Sequence, residues 1–181
     1  MIRAQKSFRL HTSHIAVAVL AVVLFANTLP GQGGKGLAPD LGDCLNLRPP
    51  DGNRVFSRVF AEGVQIYRWN GTSWVFVAPE ADLSANPGGT GIVGIHYAGP
   101  TWESLSGSKV VGTVEQRCTV DADDIQWLLL RSVSSEGPGI FGAVTYIQRL
   151  NTSGGIAPAA PGTSVGDIAR VPYTTEYYFY R

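Results

Sequence analysis

The chain has 181 residues, 44% of them hydrophobic and 15% charged, with 14 basic residues balancing 14 acidic ones. That length allows one domain with a real core. A formal net charge of zero excludes a strongly basic, phosphate-binding protein.

The N-terminus reads as a targeting segment. Arg3, Lys6 and Arg9 precede an unbroken apolar run over residues 15–26. A helix needs about 20 such residues to span a bilayer, so this shorter run fits the apolar region of a signal peptide. We expect residues 1–26 to be a signal peptide and the protein to be secreted or periplasmic, with no membrane span after cleavage; an uncleaved anchor is the alternative. Cleavage removes three basic residues and no acidic one, leaving 11 − 14 = −3. With only Lys35 and Lys109 as lysines beyond that point, nucleic acid is an improbable partner. Cys44 and Cys118 are the two cysteines. In an exported chain their expected state is one disulfide, the alternative being two buried thiols.

Residues 27–42 are rich in Gly and Pro and read as a flexible lead-in to a single β-domain over residues 43–181. Gly31 to Gly36 matches G-x-G-x-x-G formally. That pattern needs a strand before it and a helix after it, and neither is present here. From Arg54 the chain is a series of short β-type runs. Arg54 to Ala61 leads through Glu62-Gly63 into Val64 to Val77, where Asn70-Gly71 signals a two-residue hairpin turn. With that turn Tyr67 faces Trp74 and Ile66 faces Val75. Val64, Ile66, Val75 and Val77 then form a core face, and Tyr67, Trp69, Trp74 and Phe76 an aromatic one, either buried or a ligand platform. Further strands are expected at Ile92 to Tyr97, Lys109 to Cys118, Ile125 to Val133, Ala143 to Leu150 and Tyr173 to Tyr180. Trp127-Leu128-Leu129-Leu130 lacks alternation and suggests a strand buried on both faces, with a buried helix as the alternative. The fold expected is all-β: a single-domain antiparallel β-sandwich or barrel with long Gly/Pro-rich loops.

Chemistry-bearing residues are few. Beyond the targeting segment His96 is the only histidine, so no imidazole-rich metal site is expected, and no cofactor motif is present. His96 lies close in sequence to Glu103, and an imidazole and a carboxylate that converge can exchange a proton. The competing reading is a strand-end histidine held by a carbonyl, favoured because no nucleophile can be placed beside it. Asp121-Ala122-Asp123-Asp124 lacks the calcium-loop glycine and glutamate and reads as a solvated turn. Trp69 beside its turn, Tyr97, and Trp102 in a Gly-Pro loop are the aromatics best placed to grip a flat ligand, whereas Trp127 is expected in the core.

Taken in order, Gly63 to Arg68, Trp74 to Ala81, His96 to Glu103, Gly107 to Gly112, Trp127 to Leu130, Val144 to Thr152 and Tyr177 to Tyr180 resemble the family catalogued as domain of unknown function 3455. The resemblance covers about residues 50 to 181 and implies an exported protein of bacteria or fungi. Some fungal members carry a malate dehydrogenase label, which this chain, lacking a Rossmann unit, does not support. The family supplies no catalytic residues. The expected function is therefore a non-catalytic binding protein for a glycan or other cell-envelope ligand through Trp69, Tyr97 and Trp102. The alternatives are an acid–base hydrolase or lyase using His96 and Glu103, and a structural envelope or matrix protein.

Overall fold

The computed structural model describes residues 37–181; the expected signal peptide and most of the expected lead-in lie outside them. Eight antiparallel strands follow one another: β1 (Val55–Trp69), β2 (Trp74–Ser84), β3 (Ile92–Tyr97), β4 (Thr101–Ser104), β5 (Lys109–Cys118), β6 (Trp127–Glu136), β7 (Tyr146–Gly154) and β8 (Ile168–Tyr180). Each pairs with the next and β8 returns to pair with β1, closing an up-and-down barrel. Closure leaves the sheet no free edge strand. The aromatic C-terminal run supplies this closing strand, with Tyr177 opposite Val59 on one side and Arg149 on the other.

Strand β3 lies where the sequence places it, whereas β1, β2 and β4 depart from the sequence expectation. Glu62-Gly63 does not interrupt the chain: β1 runs continuously through it, with Gly63 opposite Ala81 and Tyr173. A Cβ on Gly63 would lie 2.1 Å from the Glu80 carbonyl oxygen, so this glycine is required by strand approach and not by a turn. The hairpin also has a different register. Trp69 pairs with Trp74 and Tyr67 with Phe76, and Val77 is then bulged out before Ile66 pairs with Ala78. Asn70 does not adopt positive φ; its Oδ1 accepts from the amides of Thr72 and Ser73 at 2.9 and 2.8 Å, closing a longer Asx-type loop. Inward parity consequently belongs to Val59, Ala61, Gln65 and Tyr67, which are buried, while Val75 and Val77 are 48% exposed. The expected aliphatic core face is the outer face. Likewise Thr101–Ser104 is a short strand, not part of a loop.

Two cores result. Inside the barrel, Val59, Leu83, Val110, Phe141, Ile147 and Phe179 fill one end. That end is sealed by a serine network in which Ser104 and Ser108 hydroxyls lie 2.8 Å apart and Ser108 Oγ accepts from the Phe141 amide. Outside, Leu41, Cys44 and Leu47 pack with Leu129, Leu150, Tyr178 and Tyr180. Leu41, at the end of the expected lead-in, is thus part of a core. The Cys44–Cys118 disulfide fastens this segment to β5. Gln148, fully buried beneath it, donates to the Leu47 carbonyl at 2.6 Å and accepts from Tyr180 Oη. Trp127-Leu128-Leu129-Leu130 is a strand buried on both faces, Leu128 and Leu130 inside the barrel and Leu129 under the N-terminal segment.

On β3, a Cβ at Gly94 would stand 2.3 Å from the Glu103 carbonyl oxygen of β4. Gly94→Ala must push β3 and β4 apart, and we expect it to cost about 1–3 kcal/mol, read as a lower urea midpoint at unchanged m-value. A midpoint equal to the parent's would contradict this close approach.

Candidate functional site

The end of the barrel opposite the serine network is not filled. The loops there follow β1, β3, β5 and β7, and the side chains below them enclose a cavity of about 680 Å³. Its existence follows from strand length. β3 and β4 are short, and β2 pairs with β3 only over Ala81 to Ser84, leaving Trp74 to Glu80 without a partner on that side. Pro79, which has no amide proton to offer a ladder, sits in this unpaired stretch. Phe76, Val77 and Pro79 face the Ala98-Gly99-Pro100 turn across the gap, and all line the cavity.

The wall is largely apolar, with Val114, Ile125, Leu128, Leu130 and Ile156 on it. Against this background stands an inward-facing polar and aromatic group. His96 stacks on Trp102 with ring centroids 4.4 Å apart and planes 15° apart, and Tyr177 meets both rings edge-on at 5.1 Å. His96 Nδ1 lies 2.8 Å from the Thr101 carbonyl oxygen. A carbonyl only accepts, so Nδ1 carries the proton and Nε2 keeps a lone pair. Burial pushes the imidazole pKa down to about 3, Arg149 adds to the shift and the Thr101 bond opposes it, so His96 is neutral at ordinary pH. Tyr67 Oη donates to the Gly155 carbonyl at 2.6 Å.

The remaining polar atoms are not satisfied within the protein. Gln65 Nε2, Trp102 Nε1, Tyr173 Oη and Tyr177 Oη are buried without a hydrogen-bond partner. The two phenols lie close to each other and to Arg149, and Gln65 lies beside Tyr173, yet the Gln65 amide nitrogen and both phenol oxygens have no partner of full hydrogen-bond geometry. Burial holds both phenols above their ordinary pKa, with Arg149 pulling partly back, so they stay protonated and can donate. Arg149 reaches the cavity from β7, its Nε and Nη2 donating to the Gln126 carbonyl at 3.1 and 2.7 Å. Orphaned buried donors are costly. Three of the four, on Gln65, Trp102 and Tyr177, belong to residues that line the cavity.

The residues singled out from sequence are scattered relative to this cavity. Trp102 does not stand in an exposed loop; it is 1% exposed, on β4, and contributes to the cavity from within. Trp69 is half-buried against Trp74, and a Cβ on Gly162 would touch its ring at 2.6 Å; Trp74 Nε1 donates to the Ala160 carbonyl. These indoles hold the loop between β7 and β8. Tyr97 points outward and donates to Glu103 Oε2 at 2.6 Å. His96 and Glu103 sit on adjacent strands with opposite parity, the imidazole inside and the carboxylate outside, so they do not converge. The Asp121 to Asp124 stretch is a turn, Asp121 Oδ1 accepting from the Asp123 amide. Among the described residues no group of three or more His, Cys, Asp or Glu is placed to hold a metal ion.

Tyr67 belongs to the aromatic face that the sequence leaves as buried or a ligand platform, and it is buried in the cavity wall; Gln65, Arg149, Tyr173 and Tyr177 escaped the sequence reading. A usable signal existed for some of them. In β8, Tyr173, Thr175, Tyr177 and Phe179 share one parity, and with the terminal strand expected to complete the sheet, two phenols on its inner face required partners.

No curated protein and no solved structure matches the chain. The family model described as a protein of unknown function, DUF3455, matches residues 49–181, from just before β1 to the last residue. The chain is a member of that family.

Proposed function

We propose that this protein is an exported, non-catalytic binding protein that holds a small organic molecule inside its barrel. The observation carrying this reading is the cavity of about 680 Å³, apolar in its walls and provided with unpartnered donors. An eight-stranded barrel has room either to be filled by side chains or to hold one small ligand. Here one end does the first and the other is built for the second, at a volume ordinary for small-molecule sites. The proposal moves the ligand from exposed indoles to the interior, because Trp69 and Trp74 are occupied by their own loop. Export is supported by the basic and apolar leader of the sequence and by the Cys44–Cys118 bond, which belongs to oxidising compartments. Charged residues on the outer faces of the strands, among them the Arg131–Glu115 and Arg170–Glu80 pairs, support a water-exposed barrel.

The test is energy transfer from tryptophan to N-phenyl-1-naphthylamine, a neutral apolar dye. Trp102 at the cavity should give saturable transfer at one dye per chain, and Val114→Trp, which places an indole into the cavity, should abolish it while far-UV circular dichroism is retained. Absence of saturable binding by this dye and by its sulfonated analogue, 1-anilinonaphthalene-8-sulfonate, would refute the reading.

A further inference from the structure

Resting on that reading, the chemistry of the lining specifies what the ligand must carry. Arg117 and Arg149 line the cavity, and no aspartate or glutamate of the described residues does. The ion pairs of the described residues join Arg58 to Glu176, Arg131 to Glu115 and Arg170 to Glu80, and none includes Arg149. The bonds of Arg149 to the Gln126 carbonyl orient the guanidinium but do not neutralise it. A cation set in an apolar wall is expensive without a counter-charge.

Around Arg149 several neutral groups offer protons. The amide nitrogen of Gln65 and the indole nitrogen of Trp102 can only donate, both are buried without partners, and both residues line the cavity. The phenol of Tyr177 is in the same position, with that of Tyr173 beside it. His96 spends its one proton on Thr101 and therefore brings no charge of its own. We propose that the cavity binds an apolar monocarboxylate, the carboxylate set against Arg149 with Gln65, Trp102 and Tyr177 donating to it and the apolar body against Leu128, Leu130 and Ile156.

A carboxylate presents two oxygens with about four acceptor sites, which matches one guanidinium and three neutral donors. One half-buried cation balances a single negative charge and not the double charge of a phosphate monoester. Arg117, exposed at the rim, supplies attraction to an incoming anion without being needed to hold it.

The experiment is displacement of bound N-phenyl-1-naphthylamine by decanoate, decan-1-ol and decylamine at pH 7.5, each followed to its Kd. The expected result is decanoate tighter than decan-1-ol by about 10-fold or more, because hydrogen bonds to a charged group are stronger than those to a neutral one, with decylamine weakest. Tyr177→Phe removes a hydroxyl without a hydrogen-bond partner of good geometry in the folded protein, so the barrel should stay folded; it should weaken decanoate about 10-fold and decan-1-ol by less, because a neutral hydroxyl is the weaker acceptor. Arg149→Met should abolish the preference, and Tyr177→Phe remains decisive if loss of the Gln126 bonds unfolds that variant. Equal affinities for acid and alcohol, or a Tyr177→Phe variant that keeps the parent's preference, would overturn the carboxylate assignment while leaving small-molecule binding intact. Tightest binding by decylamine would overturn the sign of the charge. Failure of the dye itself to bind would remove the binding reading along with it.

Discussion

Replacing Cys44 and Cys118 with serine is expected to destabilise the barrel by about 4 kcal/mol in the chain-entropy account of cross-links. The bond closes a loop with a sequence separation of 74, so the unfolded chain regains a large freedom when it is cut. It also anchors the segment that completes the outer core. Leu41, Cys44 and Leu47 cover Leu129, Leu150, Tyr178 and Tyr180, and Gln148 beneath them depends on the Leu47 carbonyl for its amide. If the segment lifts, Gln148 meets water where it was sealed and the outer side chains of β6 to β8 are exposed. In a domain of this size each kcal/mol moves the midpoint by about 2–4 °C, so Tm should fall by roughly 10 °C. Thermal unfolding of the double variant, and of the parent with and without a reductant, measures this. Hydrogen exchange should report loss of protection first at the amides of Leu47 and Arg48. A double variant that melts with the parent would mean that the outer core holds the segment without the cross-link.

The barrel itself was largely legible, and its errors share one cause. Turn chemistry and β-propensity located most strands because these are local properties. Parity is not local. A side chain's face is set by counting from a fixed point along an uninterrupted strand, and one bulge reverses it. Reading Glu62-Gly63 as a break reset the count in the middle of β1, and the bulged Val77 reset it again in β2. Together they put the aliphatic face of the wall on the wrong side and hid Gln65. Had Arg54 to Trp69 been read as one strand, the inward series Val59, Ala61, Gly63, Gln65, Tyr67 would have placed an amide and a phenol inside. Gly63 looked like a turn because glycine often is one; its actual reason, a carbonyl 2.1 Å from where a Cβ would stand, depends on β2 and is invisible in sequence.

The site was legible to a lesser degree for a related reason. Trp102 and His96 were conspicuous as rare residues, but which solvent they face depended on β4 being a strand. That strand is four residues long and is held by pairing on both sides. Its short length is also what leaves the cavity open. Where propensity is weakest the barrel wall is lowest, so the segment hardest to assign from sequence is the one that shapes the site.

His96 makes the second large effect a matter of pH. In the unfolded chain the imidazole takes up its proton near the ordinary value of 6.5; in the folded barrel burial delays this to about pH 3. Above 6.5 both states hold a neutral ring and the full stability is present. Below it the unfolded state binds more protons than the native state, so stability falls with falling pH, by about 1.4 kcal/mol for each pH unit. Roughly 2 kcal/mol should be lost between pH 6.5 and 5 and about 4–5 kcal/mol over the whole window to pH 3. The groups around the ring explain why no relief is available: Trp102 and Tyr177 pack on it, Arg149 repels a second positive charge, and no carboxylate lines the cavity. The higher part of the window is diagnostic. Glu80 and Asp167, whose pKa values are lowered by Arg170 and by the Ser164 and Thr163 groups, lose their own contributions only as pH falls through the carboxylate range. Urea midpoints measured from pH 7 to 5 should slope steeply for the parent and flatten in His96→Gln, whatever the absolute cost of losing the stack on Trp102. A parent slope that matches the variant's, or a His96 ring proton whose NMR shift titrates near 6.5, would show that the imidazole reaches water. If the slope is as expected, acidification between pH 7 and 5 does not charge the cavity of a folded barrel by way of His96; it lowers the stability of the barrel instead. The positive charge that lines the cavity is then that of Arg117 and Arg149 alone.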